Sequence, residues 1–261
     1  MIAGFSASLL VILVVVLLVS GAVNGLAGFG FALVGTMALA TVIEPATAVV
    51  LMIIPILSAN ATLVSELSVP ELQRCGRRFW PLMLAALVGT IIGMAVIDRL
   101  PGAPVRVGLG LITLAFVGSR GSTLPLPSLG GVDSGIDRGA TGVMLVVGGV
   151  SGLLFGATNV GVQLVAYLRS FDLSHGLFVS VVAMVFLGIN AVRVAAAGAL
   201  GLYPSAAVVG LSVAAVVPSV LGVAIGRRLR RRVDSRHRAI AVLGLLTIIG
   251  VRLILGGLGI A

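Results

Sequence analysis

The chain has 261 residues, of which 59% are hydrophobic and only 10% charged, and its formal net charge is +9. A soluble domain carries about 25% charged residues, so a water-facing shell of ordinary polarity is excluded and lipid must solvate most of the outer face. Spans of about 20 residues each leave room for roughly eight to ten crossings and none for a separate catalytic domain.

In chain order, ten apolar segments separated by polar or Gly/Pro breaks can be marked at 5–24, 29–43, 46–64, 80–98, 104–119, 139–155, 158–170, 175–198, 204–226 and 238–257. Their apolar residues lie at every helical angle rather than on one stripe, as expected of helices in lipid or in a bundle. The first carries no basic residue ahead of it and reads as a retained span rather than a signal peptide. Segments 29–43 and 158–170 are short for a full crossing, and each follows a Gly-rich break. Tilted, broken or re-entrant helices suit them best. The connection 120–138 is rich in Gly, Pro and Ser and reads as a linker.

An ordered series of matches relates the two halves. Asn24-Gly25 pairs with Ser151-Gly152, and Gly28 with Gly156. Further on, Asn60-Ala61 pairs with Asn190-Ala191, Gly93 with Gly222, Arg99 with Arg228, and Arg106, Gly118 and Arg120 with Arg238, Gly250 and Arg252. Charge then orients them. In the first half the connection 65–79 holds Arg74, Arg77 and Arg78, whereas its counterpart 199–203 holds no charge. The counterpart of 99–106 is instead the Arg-rich stretch 227–238. Short Arg-rich loops stay cytoplasmic, so the halves are expected to run in opposite directions. The expected fold is therefore all-α and polytopic, with 8–10 transmembrane helices in two inverted repeats of about five segments. Residues 1–119 form the first repeat, 120–138 a cytoplasmic linker and 139–261 the second repeat.

Inverted repeats place a solute near the midplane, against broken helices whose free N–H groups and dipoles face it. The candidate breaks are Asn24, Gly25, Gly28 and Gly30 in one half, and Ser151, Gly156, Thr158 and Asn159, followed by Gln163, in the other. The alternative is that these glycines only permit close helix packing. Asn60 and Asn190 fall deep in matching segments, either as interhelical hydrogen bonds or as walls of the site. Arg193, one turn from Asn190, either attracts an anion or serves structure near the outer interface. Glu44 and Asp172 precede matching segments, where helix capping is the default. Proton coupling by either, or by His175, is the sharper reading.

The remaining signals bound the function. Cys75 is the only cysteine, and His175 and His237 lack ligand spacing, so no disulfide, metal site or cofactor is expected. No P-loop or hydrolase motif is present, which argues against an ATP-driven pump or an enzyme within this chain. The Arg-rich 227–238 stretch suits anionic lipid headgroups, and no nucleic-acid module appears. A passive channel or an assembly protein without transport activity remains a rival to a carrier.

The break Asn24-Gly25-Leu26-Ala27-Gly28-Phe29-Gly30, its echo from Gly149 to Gly156 and the turn Gly226-Arg227-Arg228-Leu229 resemble the sulfite exporter TauE/SafE family, also called toluene sulfonate uptake permeases. The resemblance covers about 8–256; the second break departs from the commoner Gly-rich pattern. It implies a secondary carrier of small sulfur-containing or organic anions (sulfite, sulfonate, sulfoacetate) in a cell membrane, as in a prokaryotic inner membrane.

Overall fold

A computed structural model describes residues 6–27, 30–65, 68–97, 101–121, 140–169, 171, 175–230, 232 and 234–260. Every regular element among them is an α-helix: α1 (Ala7–Ala27), α2 (Phe31–Ala40), α3 (Pro45–Leu51), α4 (Ile53–Val64), α5 (Val69–Ile97), α6 (Gly102–Gly121), α7 (Thr141–Thr158), α8 (Val162–Arg169), α9 (His175–Ala199), α10 (Ala206–Ala214), α11 (Val216–Arg230) and α12 (Ser235–Gly257). Six stretches are long and apolar enough to cross a bilayer, and α2, α6 and α12 add shorter apolar helices. The chain is a multi-pass, all-α membrane protein. All but the first two residues of the linker expected at 120–138 lie outside the described residues.

Two of the expected segments are split, and proline supplies the reason. Pro55 has no N–H and its ring crowds the carbonyl one turn back, so α3 and α4 meet at Met52 and the Leu51 carbonyl loses its helical donor. The Ser212 hydroxyl of α10 donates to that carbonyl at 2.6 Å. Pro218 interrupts the ladder in the same way between α10 and α11. A third difference concerns α5, which begins at Val69 rather than near residue 80, so Arg74, Arg77 and Arg78 lie on its exposed first turns instead of in a loop. The Ser68 hydroxyl and N–H both bond the Glu71 carboxylate, a side-chain cap that starts this helix early.

In lipid, helices gain little from burying apolar area against each other, so close backbone approach through small residues carries the packing. Two such seams dominate. Gly21 and Gly25 of α1 lie against the backbone of Ser219, Gly222, Val223 and Gly226 on α11, the two helices running parallel. Gly148, Gly152 and Gly156 of α7 lie in the same way against Leu82, Ala86 and Thr90 of α5, also parallel. The Thr90 hydroxyl adds a 3.1 Å bond to the Gly152 carbonyl. Helix α1 thus pairs with α11, and α7 with α5. By contrast α6 and α12, the fifth segments, run antiparallel, with Gly110 against Gly250 and Gly257 against Ala103 and Val107.

The core between these seams is apolar and includes Leu17, Met37, Met52, Phe79, Leu82 and Phe155. Valines, leucines and isoleucines such as Val14, Val88, Ile91, Val217 and Leu221 point outward, the surface expected of a lipid-facing belt. Trp80 is 57% exposed beside Arg77 and Arg78, at the level of an interfacial aromatic. Arg106 is not a loop residue: from α6 it donates to the Ala40 and Ile43 carbonyls and caps the C-terminal end of α2.

Candidate functional site

Both expected breaks are real interruptions, and each turns through a left-handed residue. In the first half α1 ends at Ala27 and α2 restarts at Phe31, with Gly30 at φ 103°. That φ is open to glycine and closed to most side chains. In the second half α7 ends at Thr158, and Asn159 takes φ 59° before α8 begins at Val162. Asn is the residue other than Gly that tolerates this conformation at a helix C-terminus. Thr158 stabilises the turn, donating to the Leu154 carbonyl and accepting from the Val160 N–H at 3.2 Å.

A cavity of about 40 Å³ lies where these two breaks meet. Room for one water takes about 10–15 Å³, so in this conformation the space suits a solute of a few atoms. Gly30 and the first turn of α2 (Phe31, Ala32, Leu33), Asn24 of α1, and Asn159 and Gly161 at the second break line it. Ile56 and Asn60 of α4, and Val182 and Phe186 of α9, enclose it with Phe155. The first-turn amides of α2 have no intrahelical acceptor and no side-chain cap, so they offer free donors and partial positive charge.

The polar groups on this wall are neutral amides, and two are incompletely bonded. Asn24 is 2% exposed, and its Nδ2 has no partner among the described residues. Asn159 is fully buried. Its Nδ2 donates to the Thr36 hydroxyl at 2.9 Å and the Val49 carbonyl at 3.0 Å, while its Oδ1 has no donor. A buried polar atom left without a partner costs about 1–3 kcal/mol, so native proteins keep few of them without a use.

Behind Phe155 stands a cation. Arg193 of α9 is fully buried, with its guanidinium 4.8 Å from the centroid of the Phe155 ring. It donates to Asn190 Oδ1 at 3.1 Å and, at 3.5 Å, to the Gly156 carbonyl, and its Nε has no acceptor. Asn190 is held in turn by a 2.8 Å bond from its Nδ2 to the Phe186 carbonyl. No carboxylate among the described residues pairs with Arg193. Phe155, which meets this guanidinium with its ring, also lines the cavity beside Phe186, the two rings tilted at 37° with centroids 4.9 Å apart.

The chain matches the family model described as sulfite exporter TauE/SafE over residues 12–253. It belongs to that family. Comparison with curated proteins and with solved structures returned no match. Membership makes this TauE/SafE protein a membrane transporter.

Of the residues singled out in the sequence, the structure gathers Asn24, Gly30, Asn60 and Asn159 around one cavity, with Arg193 against the Phe155 ring and bonded to Asn190. Gly25 and Gly156 instead sit in the two helix seams, where an added Cβ would overlap the Val223 and Thr90 carbonyls. Ser151 is buried within α7, and Gln163 lies in the first turn of α8 with its Oε1 unpartnered, both off the cavity wall. Glu44 is exposed and caps α3, its carboxylate accepting from the Thr47 N–H at 2.8 Å. Gly28 and Asp172 lie outside the described residues, as does the side chain of His175.

Sequence reasoning missed the apolar lining and the role of Thr36. A signal for part of it was present. Val182, Phe186, Asn190 and Arg193 fall at helical spacing on one stripe of α9, as Ile56, Asn60 and Leu63 do on α4.

Proposed function

We propose that this protein is a secondary carrier of small sulfur-containing anions, of the sulfite class, and that the cavity between the two breaks is its binding site. The observation that carries the reading is the convergence of both helix breaks on one small space lined by unpaired amides. Such a site suits an anion. Helix-terminal N–H groups and carboxamides contribute partial charge, each helix end supplying about 0.3–2 kcal/mol, so the ion is selected without being trapped. A lysine or arginine inside the cavity would hold it longer. Arg193, one aromatic layer away, adds attraction and marks the path the anion takes when Phe155 and Phe186 separate.

The halves act as inverted repeats, residues 1–119 and 139–261, that rock about this site to give alternating access. The antiparallel contact of α6 with α12 and the reciprocal pairing of first with fourth segments support that arrangement. With the Arg-rich ends of α5 and α11 in the cytoplasm, the carrier sits in a plasma membrane, of prokaryotic inner-membrane type, against anionic headgroups at 227–238.

Reconstituted vesicles test the proposal. An imposed ion gradient should drive saturable accumulation of sulfite against its own gradient, which a passive channel does not do. Ala32→Phe, which fills the cavity from the first turn of α2, should lower transport at least tenfold while the protein still inserts. Undiminished transport by that variant would place the site elsewhere.

A further inference from the structure

The bonding of Asn159 says more about the solute than its charge. An amide flip is excluded at this position: Nδ2 faces the Val49 carbonyl, which can only accept, so reversing the amide would set oxygen against oxygen. Oδ1 is therefore a fixed acceptor, buried and without a donor, on a residue that lines the cavity. The first-turn amides of α2 are donors among the lining residues, and Asn24 adds an amide that no bond holds in one orientation. A fully deprotonated oxyanion can accept from those donors, but it meets the Asn159 oxygen as a second negative pole. An oxyanion that keeps one O–H satisfies both sets at once.

Among the described residues the wall has no proton to give, since none of those lining it is ionisable. The surrounding elements bring few charged groups near. Arg193 on α9 is engaged with Asn190 behind Phe155, and Arg106 on α6 is engaged with the Ala40 and Ile43 carbonyls. Glu44 caps α3 in solvent, and Glu71, Arg74, Arg77 and Arg78 are exposed on the first turns of α5. Arg227, Arg228 and Arg230 sit in the last turn of α11. The side chains of Arg169 on α8 and His175 on α9 lie outside the described residues.

We infer that the cavity binds its anion singly protonated, as hydrogensulfite rather than sulfite, so that the proton crosses the membrane on the solute. The inference rests on the proposal that this cavity is the anion site. It ties transport to the proton gradient without any titrating side chain in the path.

Binding of total sulfite to the purified full-length protein, read as the shift in melting temperature across the second ionisation of sulfurous acid, tests it. Above that ionisation the apparent Kd should rise tenfold per pH unit and stay constant when expressed as hydrogensulfite. Selenite, whose corresponding ionisation lies at higher pH, should shift the whole profile upward with it. Methanesulfonate, similar in size but without a proton, should bind at least tenfold more weakly than hydrogensulfite. An affinity independent of pH, as when a trapped water serves Asn159 for either form, would overturn the inference and leave the anion site standing. A profile at the same pH for sulfite and selenite would overturn it too, by placing the titration in the protein. No binding of any of these anions at any pH would overturn the site itself.

Discussion

Asn60 on α4 and Asn190 on α9 occupy matching places in the two halves, yet the structure uses them differently. Asn60 faces the cavity, and the residue one turn on is Leu63, buried in the apolar core. Asn190 is not among the lining residues, and the corresponding residue one turn on is Arg193, which donates to its Oδ1. A single Leu-to-Arg difference thus converts one amide from a wall group into the holder of a cation. The lesson is that pseudosymmetric backbone positions need not share a role: the neighbour one turn away decides whether an amide is free for solute. The cavity is therefore bordered unequally, by a free amide at Asn60 and by a cation behind Phe155 at Arg193.

That contrast can be broken in three ways. Leu63→Arg would give the first half the cation of the second and should have the largest effect. A buried guanidinium in lipid costs at least about 2.5–3.5 kcal/mol, and Leu63 is 1% exposed within the apolar core. The yield of folded, membrane-inserted protein should collapse, as read by size-exclusion profile. Arg193→Leu does the reverse and should cost no more stability than Asn190→Leu, since loss of the buried cation offsets the donor it takes from Asn190 Oδ1. Sulfite transport by this variant should nevertheless fall about a hundredfold, close to 2.8 kcal/mol at 1.4 kcal/mol per decade. Equal losses of stability and transport would instead make Arg193 structural. The smallest effects should come from the amides themselves. Asn60→Leu should cut transport about tenfold with an unchanged melting temperature. Asn190→Leu should lower stability by about 1–3 kcal/mol, because it strips the guanidinium of an acceptor.

Much of the fold could be read from the sequence. Length and hydropathy are enough to require a helical bundle in lipid, and both helix interruptions fall where the Gly-rich stretches placed them, at Gly30 and Asn159. Less could be read where two physical roles use one residue type. Glycine serves both a turn beside a ligand and a seam between helices. Gly30, with its positive φ, is of the first kind, whereas Gly25 and Gly156, flush against neighbouring backbones, are of the second. Nothing in the local sequence separates them, because the partner helix is distant in the chain. Arginine is ambiguous in the same way. Arg74, Arg77 and Arg78 suggested a loop where α5 had already begun, and Arg106 suggested a topogenic loop where it caps α2. Proline was more informative than the segment lengths allowed, since Pro55 and Pro218 each mark a division within one apolar run.

The central claim is that an oxyanion sits between the two breaks, in contact with Asn24, Asn60 and Asn159. Selenite offers the most direct measurement, because its heavy atom scatters anomalously. In crystals grown with selenite below its pKa, an anomalous peak should appear in the cavity between the first turn of α2 and Asn159. It should vanish in the Ala32→Phe variant. A peak seated elsewhere in the bilayer-spanning region, with that cavity occupied only by lipid or protein side chains, would contradict the account.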